Sequence, residues 1–480
     1  MAKKINLQYL LVSIIIFIIS CNYKVVINTD PDDSTIFIDN VEIKSNAIFK
    51  TKNKEINVRV EREGFENYNS TFKNRFFILN HHNINLIKKK FNVSFETIDN
   101  RSKISIDNGE FTTLPLTIEL EYGTHYIRLS QNGYADQEFE TFVNGETKYK
   151  FRHQKNIISD KIKLIPLSII DCGKQPKQVN FSFDDKYLFV SLLDDYGFDV
   201  INIKNLSLEQ KIKVKNSEKK GYVEGLFIDK YKSFFISQMT TGNIYEFDIS
   251  NIENIQYKRT IPTKGLWTKV IAYCEKKDLV ATSNWCSNDI SIIRYDNGEV
   301  IRKIENIIVP RGIIFSNDGE FLYATSFEGG QILKYNTTNW NLENKISDKG
   351  APRHIVLNKT NTICYVTDMA YNSLYEIETK DFKLLNKIKV YNNPNTVDIT
   401  PDDKYLFVSC RGPNNPNGYL ERSLENGKIA IIDCEKKEVI GYIEGGAQPT
   451  GLDISNNGKL LAFSNFQDHN IEIYKIEYSH

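Results

Sequence analysis

Residues Asn392–Cys410 read NNPNTVDITPDDKYLFVSC, and Gly445–Asn465 read GGAQPTGLDISNNGKLLAFSN. In each, a Pro-containing loop opens onto an alternating apolar stretch. A polar turn follows (Pro401-Asp402-Asp403, Asn456-Asn457-Gly458), then a second apolar stretch. The same order recurs upstream: QVNFSF, Asp184-Asp185 and YLFVSLL; GIIFSN, Asp318-Gly319 and FLYATSF. Self-similarity at a fixed period marks a repeat architecture and is settled before single residues are read. The opening residues Pro176, Val223, Trp267, Pro310, Pro352, Pro394 and Pro449 are spaced by 47, 44, 43, 42, 42 and 55 residues. The first five spacings are close to the ~40–45 residues of a four-stranded propeller blade. The last is lengthened by an insertion, RGPNNPNGYLERSLENG (Arg411–Gly427). Third stretches ending near Asp or Asn (FDVINI, QILKYN, KIAIID) and fourth stretches (QKIKVK, VIRKIE, LNKIKV) complete the units. The seventh unit stops at its third stretch, NIEIYKIEYSH. KIKLIPLSIIDCGKQP (Lys161–Pro176) runs into Pro176 as other fourth stretches run into the next anchor. It is therefore expected to close the ring and pair both terminal edges.

A second, shorter repeat precedes the first. STIFIDNVEI (Ser34–Ile43) returns as SKISIDNGEF (Ser102–Phe111), and INVRVEREGFENYNSTF (Ile56–Phe72) returns as HYIRLSQNGYADQEFETF (His125–Phe142). In both copies an alternating strand runs into Gly-aromatic, a turn that suits glycine's tolerance of positive φ. Residues 22–90 and 91–155 thus form two copies of one all-β unit, and 160–480 form seven blades. A chain of 480 residues is long enough for such a division.

These patterns resemble known families. Asp107-Asn108-Gly109, Leu114-Pro115-Leu116, Gly123-Thr124-His125 and Gly133-Tyr134 resemble the PEGA domain. The first copy shares Pro31 and Asp39-Asn40 but lacks the Pro-Leu pair and the central glycine. The resemblance implies two small β-sandwich modules of the bacterial envelope and supplies no chemistry. CYVTD and YLFVS resemble the YVTN-repeat propellers, which belong with lactonase-like and quinoprotein-like propellers. That likeness implies an all-β, seven-bladed β-propeller and leaves activity open, because propellers host unrelated functions. At the N-terminus, Lys3-Lys4 precede a short apolar run from Leu10 to Ile19, too short to span a bilayer. A charged start and short apolar core are the pattern of a signal peptide, residues 1–20. Ile18-Ile19-Ser20-Cys21 resembles a bacterial lipobox in the loose spirochaete form. It implies lipidation of Cys21 and a lipid-anchored protein of the cell envelope, at the outer membrane or surface.

Lys plus Arg equals Asp plus Glu (61 each), so no net field draws the chain to nucleic acid. Beyond Cys21 stand Cys172, Cys274, Cys286, Cys364, Cys410 and Cys434. None forms a CxxC or Cys/His cluster, and several lie in apolar strands. Buried free thiols are expected rather than disulfides. No metal site and no cofactor are expected.

Blade geometry places the second-to-third-strand loops and the blade-to-blade loops on one face. The residues just after the anchors are Lys177, Glu224, Thr268, Arg311, Arg353, Asn395 and Thr450, and His354 follows Arg353. Two roles are open for this cation-rich ring: a seat for an anionic or sugar-like ligand, or bridges between blades. The blade-six insertion adds Arg411 and Tyr419 as candidate contacts, because loops raised on a rigid scaffold carry recognition residues. A metal-dependent lactonase-like hydrolase would need several carboxylate or amide ligands at the mouth. Only Glu224 and Asn395 fall in that column. The expected role is a membrane-anchored binding or scaffold protein, with an envelope protein or such a ligand as partner. A lactonase-like hydrolase is the alternative.

Overall fold

The computed structural model describes residues 22–76, 78–154, 161–214, 219–418 and 421–478. Cys21 and Tyr419 lie outside them. Contacts group the chain into two units: Met1–Val93, Thr117–His125 and Phe142–Glu146 form one, and Ser94–Leu116, Tyr126–Thr141 and Thr147–His480 the other. The architecture is all-β, and among the described residues no helix is long and apolar enough to cross a membrane.

In the first unit, the sheet Phe49–Thr51, Tyr23–Asp30, Leu79–Asn85 accompanies a second of Val41–Ile43, Thr35–Ile38, Glu55–Glu61 and Tyr68–Lys73. The alternation of Glu55–Glu61 buries Ile56, Val58 and Val60 against Val25, Ile27, Ile36 and Ile38. Asp39 and Asn40 make the tight turn with φ of 48° and 67°. These residue types tolerate the left-handed region. Asp107 and Asn108 repeat it in the other unit (51° and 61°), as the sequence repeat implies.

Among the described residues, the second unit holds the seven four-stranded antiparallel sheets of the propeller and most of a further four-stranded sheet, Thr112–Thr113, Lys103–Ile106, Gly123–Ser130 and Gln137–Val143. Blade four shows the pattern: Pro310–Phe315, Phe321–Ser326, Gln331–Asn336 and Leu342–Ser347. The first strands of successive blades touch one another in a closed cycle, from Pro176–Phe181 through Tyr222–Ile228, Thr268–Cys274, Pro310–Phe315, Pro352–Leu357 and Pro394–Ile399 to Pro449–Ile454 and back. Burial falls outward: blade four's second strand is buried almost throughout, whereas its fourth is nearly all exposed. Every adjacent pair of blades has its own apolar cluster. Ile292 and Ile313 belong to the one between blades three and four, and Ile431 and Leu452 to the one between six and seven. Ile162–Asp171 pairs antiparallel with Asn470–Tyr478, so the segment ahead of the first anchor is the outer strand of blade seven, as expected. Neither terminal edge of the ring is left unpaired.

The polar turns explain the spacing. In Ser316-Asn317-Asp318-Gly319 the Ser316 hydroxyl donates to Asp318 at 2.5 Å, and Gly319 takes φ 74°. Ser182–Asp184, Thr400–Asp402 and Ser455–Asn457 repeat the bond, followed by Asp185, Asp403 and Gly458 at positive φ. The turn residue then ties blades together: Asp185 accepts from the Asn456 N–H at 2.8 Å and Asp403 from the Lys359 N–H at 3.0 Å.

The six cysteines among the described residues are free. Cys274, Cys364 and Cys410 are buried and Cys172 and Cys434 half-buried, but Cys286 is exposed. The expectation of buried thiols is corrected there, because Cys286 lies in a second-to-third-strand loop outside any apolar strand.

Candidate functional site

The Ser or Thr of VS, TS and TD in the second strands builds the channel mouth. Ser191, Ser237, Ser283, Thr325, Thr367, Ser409 and Ser464 are all fully buried. Thr325 accepts from the Gly312 N–H at 2.8 Å and donates to the Arg353 carbonyl of the next blade at 3.0 Å. Thr367 does the same between His354 N–H and Asn395 carbonyl, and Ser409 between Thr396 N–H and Thr450 carbonyl. The hydroxyl thus fills a break in the first-strand ladder, where the register shifts between Pro310 and Ile313. A bulge of this kind re-aims a side chain. It also brings backbones close: a Cβ on Gly312 would sit 2.6 Å from the Arg353 carbonyl oxygen.

The true first-strand anchors pair with residues sixteen positions on: Pro310 with Ser326, Pro352 with Asp368, Tyr222 with Gln238 and Thr268 with Asn284. Two anchors are therefore corrected, Val223 to Tyr222 and Trp267 to Thr268. Neither blade has the Pro that marks the position elsewhere. The backbone agrees, since Gln175, Gly221, Trp267, Val309, Asn393 and Gln448, each just before an anchor, have positive φ. In the corrected register the mouth column is Lys177, Val223, Lys269, Arg311, Arg353, Asn395 and Thr450. Lys269 replaces Thr268, and Glu224 stands one residue further along, level with His354.

A second ring lies beside this column. The residues after each second strand are Leu193, Met239, Trp285, Phe327, Met369, Arg411 and Phe466. Each donates its N–H to the carbonyl before its anchor, as Trp285 does to Trp267 and Arg411 to Asn393 at 3.0 Å. Six are apolar and form a collar on which the cations rest. Lys269 Nζ lies 4.1 Å from the Trp285 ring centroid, and the Arg311 guanidinium 3.9 Å from it and 4.4 Å from Phe327. Lys177 Nζ lies 5.1 Å and Arg411 5.9 Å from Phe466. The Arg353 Nη1 reaches Met369 Sδ at 3.6 Å. Cations over aromatic faces gain ~0.5–2 kcal/mol each, more when desolvated.

Among the described residues, five cations thus converge with one carboxylate, Glu224. Burial, and then the neighbouring positive charges, hold Lys177, Lys269 and Arg353 well below their usual values. Burial raises Glu224, with Lys177 and the other cations opposing that rise. Among the described residues no carboxylate lies within ion-pairing distance of Lys177, Lys269 or Arg353.

The bridging role is also occupied. Arg353 donates through Nε to Asn395 Oδ1 of the next blade, and Arg411 to Gln448 Oε1 of blade seven. His354 Nδ1 accepts from the Val397 N–H at 3.4 Å. Burial, with Arg353 beside it, pushes His354 down to about 4, so its ring is neutral at ordinary pH. Arg411 was expected in the raised insertion but is 7% exposed and belongs to the mouth, because it directly follows the second strand. Within the insertion, Arg422 pairs with Asp468 of blade seven at 3.0 Å.

The geometry agrees with two family models. One described as Lactonase, 7-bladed beta-propeller, matches residues 215–480, and one for the PEGA domain matches residues 91–156. Among curated proteins the chain is similar to Antigen Lp49 of Leptospira interrogans. The two are 38% identical over 364 residues, covering 73% of this chain and 77% of the relative.

Proposed function

This chain belongs to the lactonase seven-bladed β-propeller family, and from that premise we propose that it is a binding or scaffold protein of the cell envelope, acting through the loop face of its propeller without catalysis. The observation that carries this reading is the ring of Lys177, Lys269, Arg311, Arg353 and Arg411, drawn from five blades onto one apolar collar. Positive charge gathered on one face favours association with negative charge. Around the mouth the loops present Leu266 (62% exposed), Ile308 (52%) and Tyr371 (42%), apolar side chains suited to a macromolecular partner. A metal-assisted hydrolase is less well supported, since among the described residues Glu224 is the one carboxylate of the cluster and the Asn395 amide oxygen already accepts from Arg353. Tight stoichiometric uptake of a divalent metal at the channel would favour the hydrolase instead.

The envelope assignment draws on the lipobox-like stretch ending at Cys21 and on the likeness to a Leptospira antigen. Lipid on Cys21 would anchor the chain, because each buried acyl CH₂ contributes ~0.8 kcal/mol. The test is capture of partners from crosslinked envelopes by the full chain and by a variant carrying Leu266→Asp, Ile308→Asp and Tyr371→Asp. Loss of a partner with an unchanged melting temperature supports the loop face. An identical partner list from both proteins refutes it.

A further inference from the structure

The first strand of the first unit begins at Tyr23, two residues after Cys21. An extended chain spans at most ~3.6 Å per residue, so lipid on Cys21 would hold the Tyr23 end within about 7 Å of the headgroups. In the sheet, Lys24 pairs with Lys50 on one side and with Leu79 on the other, and all three side chains are exposed on one face. Buried Asn80 fastens Arg75 to the same end. Its Oδ1 accepts the Arg75 N–H at 2.9 Å, and its Nδ2 donates to the Lys24 carbonyl at 3.1 Å. Phe76 lies against the Tyr23 ring, centroids 4.1 Å apart, and both Phe76 and Ile78 are exposed. The Asn74 N–H donates to the Lys54 carbonyl at 2.7 Å, which brings Lys54 to this end as well.

Residues 22–25, 49–55, 73–76 and 78–80 hold six cations, Lys24, Lys50, Lys52, Lys54, Lys73 and Arg75. They hold one acid, Glu55, which pairs with Lys73 at 3.5 Å. Lys24 and Lys50 stand directly opposite each other, an arrangement that destabilises a sheet unless negative charge comes from outside. The far end of the same strand has the opposite sign, with Asp30, Asp32 and Asp33. A chain with no net charge thus gathers cations and exposed apolar side chains at the end of this unit that lipid would hold to the bilayer.

Resting on the lipid anchor proposed above, we infer that this end of the first unit is a second membrane contact. Lys24, Lys50, Lys52 and Arg75 engage anionic phospholipid headgroups, and Phe76 and Ile78 enter the boundary between headgroups and acyl chains. Basic side chains near an anionic leaflet add to an acyl anchor, and apolar ones add burial. A neutral headgroup makes no use of the cations. The contact sets how the first unit stands on the bilayer, where an acyl anchor alone would leave it free to turn.

Cosedimentation with vesicles tests this on a chain beginning at Asn22, which lacks the lipid site and keeps every strand of the structure. The vesicles are phosphatidylcholine alone, or phosphatidylcholine and phosphatidylglycerol in equal parts. The expected result is binding about ten-fold or more tighter to the anionic vesicles, weakening as salt is added. Lys24→Glu with Lys50→Glu should weaken that binding about ten-fold, and Ile78→Asp several-fold, with melting temperatures unchanged because all three positions are exposed. Lys345→Glu with Lys383→Glu, exposed on the outer strands of blades four and five, makes the same change in net charge and should leave binding as it was. No preference for anionic vesicles, equal loss from the two lysine pairs, or full binding by Ile78→Asp would overturn the inference. Sedimentation velocity without vesicles covers the other occupant: a dimer that Ile78→Asp abolishes would assign this end to a second copy and overturn it too. The anchor has its own readout. Detergent partitioning that depends on Cys21, with no vesicle binding, sinks this inference alone. Vesicle binding without Cys21-dependent partitioning sinks only the lipid anchor.

Discussion

Replacing Asp398 by Asn should stabilise the protein at neutral pH and do nothing in acid. Asp398 and Asp453 stand at the same place on the first strands of blades six and seven. Asp398 accepts the N–H of Ile454 in blade seven at 2.9 Å, and Asp453 accepts that of Phe181 in blade one at 2.7 Å. Burial pushes Asp398 up to about 6. Burial and then the Asp398 charge push Asp453 well above the carboxylate range, with Asp185 adding to the rise. The sign follows from linkage. A folded-state pKa above the unfolded value of ~3.9 means that the folded protein holds the proton more tightly. That contribution is complete below about pH 4 and is lost as pH rises through about 6. Two units correspond to about 3 kcal/mol, and the partial exposure of Asp398 reduces this to about 2 kcal/mol. Asn keeps an oxygen for the blade-seven N–H and cannot ionise. Urea or calorimetric unfolding of both full chains near pH 4, 6 and 8 should show no difference in acid and an advantage of about 2 kcal/mol for the variant near pH 8. Carboxylates held below their usual range, such as Glu246 and Asp348 beside their lysines, add acid sensitivity to both proteins and cancel in the difference. A difference that does not change with pH would refute the linkage reasoning.

Three further outcomes are expected. Arg152 donates to Glu472 at 3.0 Å, with the Glu472 side chain 1% exposed, so Arg152→Met leaves a buried carboxylate and should cost about 3 kcal/mol; adding Glu472→Gln should recover most of it in urea unfolding. A chain beginning at Thr147 keeps both Arg152 and the closing strand Ile162–Asp171, whereas one beginning at Gly173 exposes the edge of Asn470–Tyr478 and should aggregate or melt several degrees lower; equal melting would refute closure by that strand. Cys21→Ala should move the protein out of the detergent phase in Triton X-114 partitioning, and unchanged partitioning would dismiss the lipid anchor.

The propeller was legible because each blade writes its turn chemistry locally. Pro opens the first strand, Ser or Thr followed by Asp or Asn makes the turn, and alternation buries one face. The site was less legible because it depends on register. Where Tyr222 and Thr268 replace the anchoring Pro, a one-residue error moved Glu224 into the mouth column and left Lys269 out. A better ruler was present in the chain. Ser191, Ser237, Ser283, Thr325, Thr367, Ser409 and Ser464 each follow their anchor by fifteen residues, and counting back from them finds Lys269. The collar was missed for a related reason, since Trp285, Phe327 and Phe466 look like loop aromatics until the backbone bonds align them. Arg411 looked like part of the insertion because the insertion begins there, yet its backbone still belongs to the ring.

The central claim is that the loop face is the binding face. Site-specific photo-crosslinking in living cells tests it most directly, with a photoreactive residue at Leu266 on the loop face or at Tyr257 on the outer strand of blade two, both exposed. The account predicts a discrete crosslinked species from position 266 and none from position 257. Crosslinking from 257 alone, or equally from both, would contradict it.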